Sequence, residues 1–591
     1  MKIRNLTGIV FALALSCAGL FGQTVSSSVV GSVVDPADAV VAGAAVTLTS
    51  DDTGALRTAT TDNLGTYRFT EVVPGTYNVT VKATGFKSET EAGIVVTAQE
   101  THDAGKLILQ IGSVSESISV KAEVAQVQLS SSEKSQTVDA EELGELTLKG
   151  RDLFGYLRLT PGVIDTANRD VTNHSAIAGI SINGGFTGIN FTVDGLTDMD
   201  TGSGRSLAFE PNMDSIQELR VLTSNYQAEF GRNSGGTVTV VTKNGTQEFH
   251  GTAAWNHRNE EFNSDTWENN HTVKNGAATP RAPYRYNVET YSIGGPAFIP
   301  KHLNRDRKKL FFFWSQEYTG QFVTGGSESV YAPTAVERTG DFSRSFNNNG
   351  TLIKVLDPQN GNAQFPGNVV PASRINPVGQ ALLNFFPLPN YTATLPAQLN
   401  IVNFFEQASA IHPRRNDVVR LDQYFTSKLS AYARFINDSD YMYVLYSGVQ
   451  FSSLDNTGRV GPNGQPLPPI GSIDHPNGGH GESGTVTYTI SPTMVNETTA
   501  GYTWDQFTYQ STDNYASILR SLEPGLPTLY PVPTGAPGGN VGSPLNDYIS
   551  QLPSFSFGSA PGNAMSYSRS GTSAGAYYNP NAGFRIARTI H

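Results

Sequence analysis

The sequence predicts a mainly β chain in three parts: a small amino-terminal β-sandwich, a compact block of short strands with a little helix, and a long run of antiparallel hairpins. Three observations carry this. Short strands separated by Asp, Asn, Pro and Gly turns fill residues 28–112, and after Gly251 apolar and polar residues alternate at period two. Composition agrees with both: only 16% of the 591 residues are charged, yet the mean hydropathy is −0.26. The polarity therefore comes from Gly, Ser, Thr, Asn and Tyr, which suit strands and turns. Aromatic residues, at 10%, are available for girdles at a membrane interface.

The chain opens with Lys2 and Arg4, then the apolar run Ile9–Leu15, then small residues from Cys17 to Gly22. That order predicts a secretory signal peptide over residues 1–22, too short in its apolar part to span a bilayer. Ala14-Leu15-Ser16 is a poor lipoprotein signal before Cys17, the single cysteine, so a chain cleaved at Gly22 has neither disulfides nor thiolate metal sites. From Ser28 the strands follow in turn. Val29–Val34 opens, Ala45–Thr49 comes next, Asp62–Gly65 turns into Tyr67-Arg68-Phe69, and Pro74-Gly75 leads into a strand burying Tyr77, Val79 and Val81. Regular short strands with turn signals predict a small antiparallel sandwich.

Residues 113–135 are rich in Ser and Glu and read as a linker. Helix is expected between Asp139 and Thr160. Asp139 and Glu142 have capping-box spacing, Leu143 and Leu146 lie three apart, Leu153 and Leu157 four apart, and Thr160-Pro161-Gly162 stops the run. Three short strands follow. Phe191 and Val193 precede the Asp194-Gly195 turn, Leu219-Arg220-Val221 lies in the second, and Thr237–Thr242 is the third. With Gly231, Gly235 and Gly236 between them, this stretch reads as too polar to form a large core.

Beyond Gly251 strands are legible near Trp255, Tyr291, Phe312, Leu421, Ala431, Tyr488 and Tyr502. Leu310, Phe312, Trp314 and Tyr318 share one face while Ser315 and Glu317 share the other; Arg420 and Asp422 alternate with Val419 and Leu421; Ser430, Tyr432 and Arg434 oppose Leu429, Ala431, Ala433 and Phe435. Such faces suit a barrel wall between lipid and a hydrated lumen, or one sheet of a soluble sandwich. The Pro- and Asn-rich stretches Tyr331–Pro413 and Leu522–Gly575 read as external loops, and the basic cluster Lys301–Lys309 as a solvated hairpin turn.

Several of these strings resemble a known family. FTVDG, ELRVLTSNYQAEFGR and GGTVTVVTKNGTQEFHG look like the plug domain and plug-to-barrel junction of TonB-dependent outer-membrane transporters, and the likeness extends more weakly over nearly all of the chain. It is closest to the subgroup with a carboxypeptidase-regulatory-like domain in front, the transthyretin-like module that DNLGTYRFTEVVPGTYNVTVKATGFK resembles; that module is not the peptidase and brings no catalysis. The resemblance implies a sandwich over 28–112, a linker over 113–135, a small α/β plug over 136–246, and the first part of an antiparallel transmembrane β-barrel over 247–591. The barrel would lie in the cell outer membrane with the sandwich in the periplasm. The function implied is a receptor or transporter for a bulky extracellular substrate (glycan, peptide or chelate), energised by a TonB-type periplasmic protein and needing no cofactor. A structural or adhesive surface barrel without energised transport is the alternative.

Within the linker, Glu116, Ser117, Ile118, Ser119, Val120, Lys121 and Ala122 alternate like an edge strand and resemble a TonB box, the segment that pairs with the energising protein. An extended segment can add to a partner sheet through main-chain hydrogen bonds. The same residues also read as the closing strand of the sandwich. Transporters of this kind have roughly 22 strands of about 10 membrane residues each, more than are legible here. The chain also stops at Arg588-Thr589-Ile590-His591 without a terminal aromatic. An incomplete barrel, the amino-terminal portion of a longer protein, is the expectation.

Other chemistries find little support. Gly571-Thr572-Ser573-Ala574-Gly575 matches GxSxG, but Pro580 breaks the helix that motif needs and no acid follows. Asp194, Asp198 and Asp200 lack the ladder and closing Glu of a calcium loop; they read as solvated plug-loop acids, with substrate contact as the alternative. The histidines have no zinc spacing and no phosphate loop is present. A net charge of −12 argues against a nucleic-acid partner. The chain reads as not an enzyme.

Overall fold

The computed structural model describes residues 26–511 and 587–590, except 113–116, 122–131, 168–176, 201–205, 376–379, 381–387, 393–402, 445–472 and some shorter breaks. The signal peptide, Cys17, Glu116, Ala122 and the 571–575 string lie outside the described residues.

Eight strands make the amino-terminal sandwich: β1 (Ser27–Val34), β2 (Ala45–Ser50), β3 (Leu56–Thr60), β4 (Thr66–Val72), β5 (Gly75–Lys82), β6 (Ser88–Val96), β7 (Thr101–Ile108) and β8 (Ser117–Lys121). They form two sheets, ordered β4-β1-β7 and β3-β2-β5-β6-β8. The period-two strands do what their pattern requires. Val79 and Val81 are fully buried with Val46, Leu48, Phe69 and Ile94, and Tyr77 packs against this core. Residues 117–121 pair in parallel with β6, Ser88 opposite Ser117 and Ala92 opposite Lys121. In this structure, then, the segment singled out in the linker occupies the edge of the sandwich.

The plug follows: β9 (Lys134–Asp139), helices α1 (Ala140–Glu145) and α2 (Leu153–Leu157), then β10 (Val163–Asp165), β11 (Ile180–Ile182), β12 (Ile189–Val193), β13 (Leu196–Thr197), β14 (Ile216–Ser224) and β15 (Gly236–Thr242). The expected capping box is present. The Asp139 carboxylate accepts from the Glu142 amide, and Glu142 reaches back to the Asp139 amide. Helix α1 ends sooner than the Leu143/Leu146 spacing suggested: Leu143 is buried, while Leu146 caps the end and is exposed. Five strands form the central sheet in the order β13-β12-β15-β14-β9. The expectation that this stretch is too polar for a large core is corrected, because β12 and β15 are buried at every residue. Their threonines satisfy one another, as Thr192 donates to Thr239 at 3.2 Å, while Phe191, Val193, Val238 and Val240 share a core with Val418 and Ile436 from the hairpins beyond.

Those hairpins form an antiparallel wall. Its strands are β16 (His250–Asn259), β19 (Arg285–Pro296), β20 (Leu310–Val330), β23 (Phe404–Thr426), β24 (Leu429–Val444), β25 (Ile473–Ser491), β26 (Met494–Phe507) and β28 (Ala587–Ile590), paired in that order. Minor strands β17 (Val273–Lys274), β18 (Ala277–Ala278), β21 (Leu356–Asp357), β22 (Ala363–Gln364) and β27 (Gln510–Ser511) lie between them. A strand stands at each of the positions legible in the sequence. The loop assigned to Tyr331–Pro413 is shorter than expected: β23 begins at Phe404 and pairs with β20 through Gly320 opposite Pro413. Pro413 read as a loop signal because it breaks the pattern, but an antiparallel strand tolerates a proline where no ladder donor is needed. The short turn at 427–428 and turn 297–309 lie at the same end of the wall. Trp255, Tyr291, Ile293, Tyr318, Leu421, Phe425, Phe435, Val486, Tyr488 and Ile490 are exposed, whereas Val418 and Ile436 are buried in the plug's core and Phe311 and Phe313 are also buried. An outward apolar band over an inward face packed on another module is the pattern of a lipid-facing wall. Among the described residues no helix is long and apolar enough to cross a membrane.

Candidate functional site

The plug meets the wall through buried charge. Asp194 begins the two-residue turn between β12 and β13, where it and Gly195 have φ of 48° and 81°; Asp-Gly supports that left-handed pair at low cost. The turn aims the Asp194 carboxylate back at β15, where it accepts from the Thr242 amide at 2.9 Å and the Thr242 hydroxyl at 2.8 Å. Arginines on two wall strands then reach it. Arg434 of β24 donates to it at 3.1 Å, and Arg420 of β23 lies 3.7 Å away. Arg420 also donates to the Thr242 carbonyl at 2.9 Å, pairs with Asp422 at 3.0 Å and lies over the Tyr432 ring at 4.3 Å. Asp194, Arg420 and Arg434 are each no more than 3% exposed, so the pairing is close to fully desolvated.

A second network lies further along the same strands. Arg414 of β23 grips Asp438 of β24 with two hydrogen bonds, 2.9 and 2.6 Å, and pairs with plug Glu210 at 3.1 Å. The Glu210 amide donates to Asp438 and its carbonyl accepts from Asn416 at 2.6 Å. Asn212, which caps the short turn at Met213–Ser215, completes it. Its amide group donates to the Asn416 side chain at 2.9 Å, and its side-chain oxygen accepts from the Ser315 hydroxyl at 3.0 Å. Plug and wall thus exchange hydrogen bonds along three adjacent strands, β20, β23 and β24, rather than at a single contact.

The three acids singled out in the sequence divide. Asp194 and Asp198 are 2% and 1% exposed, so the reading of both as solvated loop acids is corrected. Their partners come from strands distant in sequence. Burial pushes the Asp198 carboxyl well above its ordinary range, with Arg434 pulling the other way. Asp200 is only partly buried, at the rim. Arg420 and Arg434 were read only as polar-face residues and Arg414 and Asp438 not at all, although the signal was present: each is a charge on the polar face of an alternating strand, a position that a lumen or a plug must satisfy.

The amino-terminal sandwich is seated against both modules. Its Ala98 amide donates to the buried carboxylate of Glu218 on β14, and Gln99 accepts from Thr239 at 3.2 Å. The Asp52 carbonyl accepts from the Gln247 amide at 2.9 Å, and Ser26 donates to Glu497 of β26 at 2.7 Å. Burial pushes the Glu218 carboxyl up to about 7, against the opposing pull of the Ala98 amide and Arg220.

A plug held inside an outward-apolar wall defines a class, the outer-membrane β-barrel proteins. Residues 241–584 match the family described as Outer membrane beta barrel domain, and the chain belongs to that family. Residues 28–109 match the Carboxypeptidase regulatory-like domain. The chain is similar to the TonB-dependent transporter Oar of Myxococcus xanthus, 29% identical over 267 residues, a match covering 42% of this chain and 23% of that relative. Among solved structures it is similar to the outer membrane transporter YddB from Escherichia coli, with 11% identity, 64% of this chain and 40% of that one covered, and a TM-score of 0.38. The siderophore receptor PirA from Acinetobacter baumannii is also similar, at 13% identity, 64% and 49% covered, with a TM-score of 0.29. The chain therefore spans about a quarter of the length of the curated relative it matches.

Proposed function

We propose that this chain serves in energised uptake across the outer membrane, taking a bulky glycan, peptide or chelate that binds at the long-loop end. Release would be driven from the short-turn end by a TonB-type periplasmic protein. The observation that supports this best is the plug itself. A five-stranded sheet is locked inside the wall by Asp194–Arg434 and Glu210–Arg414–Asp438, so passage requires work on that interface. The domains proposed are the sandwich at 28–112, the linker at 113–135, the plug at 136–246 and the wall at 247–591, with the sandwich on the periplasmic side. The energising contact is proposed at Glu116–Ala122. There, Ser117–Lys121 lies along β6 at a sheet edge, where it can leave one sheet and add to another by the same main-chain hydrogen bonds.

Deleting residues 116–122 from the protein in its native cell distinguishes this from a structural or adhesive barrel. Substrate binding should persist while uptake is lost. Undiminished uptake by the deletion strain removes the proposed contact. The sandwich is tested by expressing residues 28–112 alone, which should give a soluble fragment that melts cooperatively.

A further inference from the structure

Turn 297–309, between β19 and β20, concentrates positive charge on an otherwise acidic chain. Lys301, Arg305, Arg307, Lys308 and Lys309 stand with one acid, Asp306, in a protein of net charge −12. All six are exposed. The turn is built rather than loose. Ile299 and Leu303 form a bridge across a tight bend, and the Asn304 side chain donates to the Leu310 carbonyl at 2.7 Å while accepting from the Lys309 amide at 2.9 Å. Arg305 donates to the Lys301 carbonyl at 2.7 Å, and Arg307 lies 4.3 Å over the Phe298 ring. Lys301, Asn304 and Arg307 all take positive φ, of 70°, 48° and 55°, a conformation that side chains with a Cβ rarely adopt without compensation.

Apolar surface lies next to this charge. Ile299 and Leu303 are about half exposed, and Phe298, Phe249 and Phe312 pack with ring centres 6.2 and 6.3 Å apart at the edge of the outward apolar band. Aromatic rings at the limit of a lipid-facing band, followed at once by cations, match the order of chemistry across a membrane surface: hydrocarbon, interface, phosphate. We propose that turn 297–309 binds the phosphate headgroups of anionic phospholipid at the short-turn surface of the membrane, anchoring the wall beside the plug. The flat array of separate cations suits several headgroups at once, and Ile299 and Leu303 insert between them. The site needs only membrane insertion of the wall and does not depend on transport.

The test compares lipid retention by the full chain after purification from membranes containing phosphatidylcholine and phosphatidylglycerol, measured by native mass spectrometry. The unaltered protein should retain phosphatidylglycerol over phosphatidylcholine by roughly tenfold, a preference that falls with added salt. The variant Lys301→Gln/Arg305→Gln/Lys308→Gln/Lys309→Gln should drop to within about twofold of neutral lipid, while Lys428→Gln, at the neighbouring short turn, should keep the preference. Should the fourfold variant fail to insert, the pair Arg305→Gln/Lys308→Gln carries the same expectation with a smaller drop. Unchanged preference in the inserted variants overturns the proposal. So does a loss confined to an acidic protein co-purifying with the chain.

Discussion

The plug has two neighbours, and it meets them in different ways. Against the wall it places full charges opposite full charges, each nearly stripped of water: Asp194 with Arg434 and Arg420, Glu210 with Arg414. Against the sandwich it uses one buried carboxylate, Glu218, facing a backbone amide, with a neutral Thr239–Gln99 contact beside it. A buried ion pair adds little net stability over a well-packed apolar contact, but breaking it by removing one partner is costly. A lone buried carboxylate responds instead to its own proton. The wall joint should therefore resist everything except loss of a partner, while the sandwich joint should loosen with pH.

The sharpest break is Asp194→Ala, which takes from buried Arg434 the acid it bonds at 3.1 Å, while Arg420 keeps Asp422. It should cost about 3–5 kcal/mol, read as a drop in the urea midpoint of the detergent-solubilised chain. A change close to zero would mean that water reaches Arg434. Next comes the sandwich joint. In the docked state the raised Glu218 carboxyl keeps its proton up to about 7, whereas in the undocked state it loses the proton near its ordinary pKa of about 4.3. Between those values the docked form holds more protons, so docking weakens as pH rises through that window and levels off above it. The loss is on the order of 3–4 kcal/mol. The sandwich's urea transition should come earlier at pH 8 than at pH 5, and Glu218→Gln should erase the difference. Identical midpoints for the unaltered protein at both pH values would remove the proposed proton dependence. Asn416→Ala, which removes the partner of the Glu210 carbonyl and of the Asn212 side-chain NH2, should cost about 1–3 kcal/mol in the wall joint and leave the pH dependence untouched. The smallest effect is Asp139→Ala. It removes the cap of α1 alone, at about 1 kcal/mol, and a larger loss would show that β9 depends on the cap for its pairing with β14.

The sandwich also shows how two readings of one segment separate. Ser117–Lys121 alternates in a way that fits both a docking segment and a closing strand, and its own residues cannot choose between them. Pairing with β6 depends on the free edge that β6 offers.

What the sequence determined by itself is local. Period-two alternation placed the wall strands around Phe312, Leu421, Ala431 and Tyr488, because one face must meet lipid and the other must not. Asp139 and Glu142 fixed the start of α1 through contacts three residues apart, and Asp-Gly fixed the turn at Asp194. Tertiary structure decided everything that depends on what lies opposite. Asp194 resembles a solvated loop acid until Arg434, 240 residues further on, closes over it. The threonine-rich β15 reads as too polar for a core until β12, β14 and the wall satisfy its hydroxyls and cover its faces. Burial depends on the far side of an interface. Where that side comes from hundreds of residues away, no local pattern encodes it.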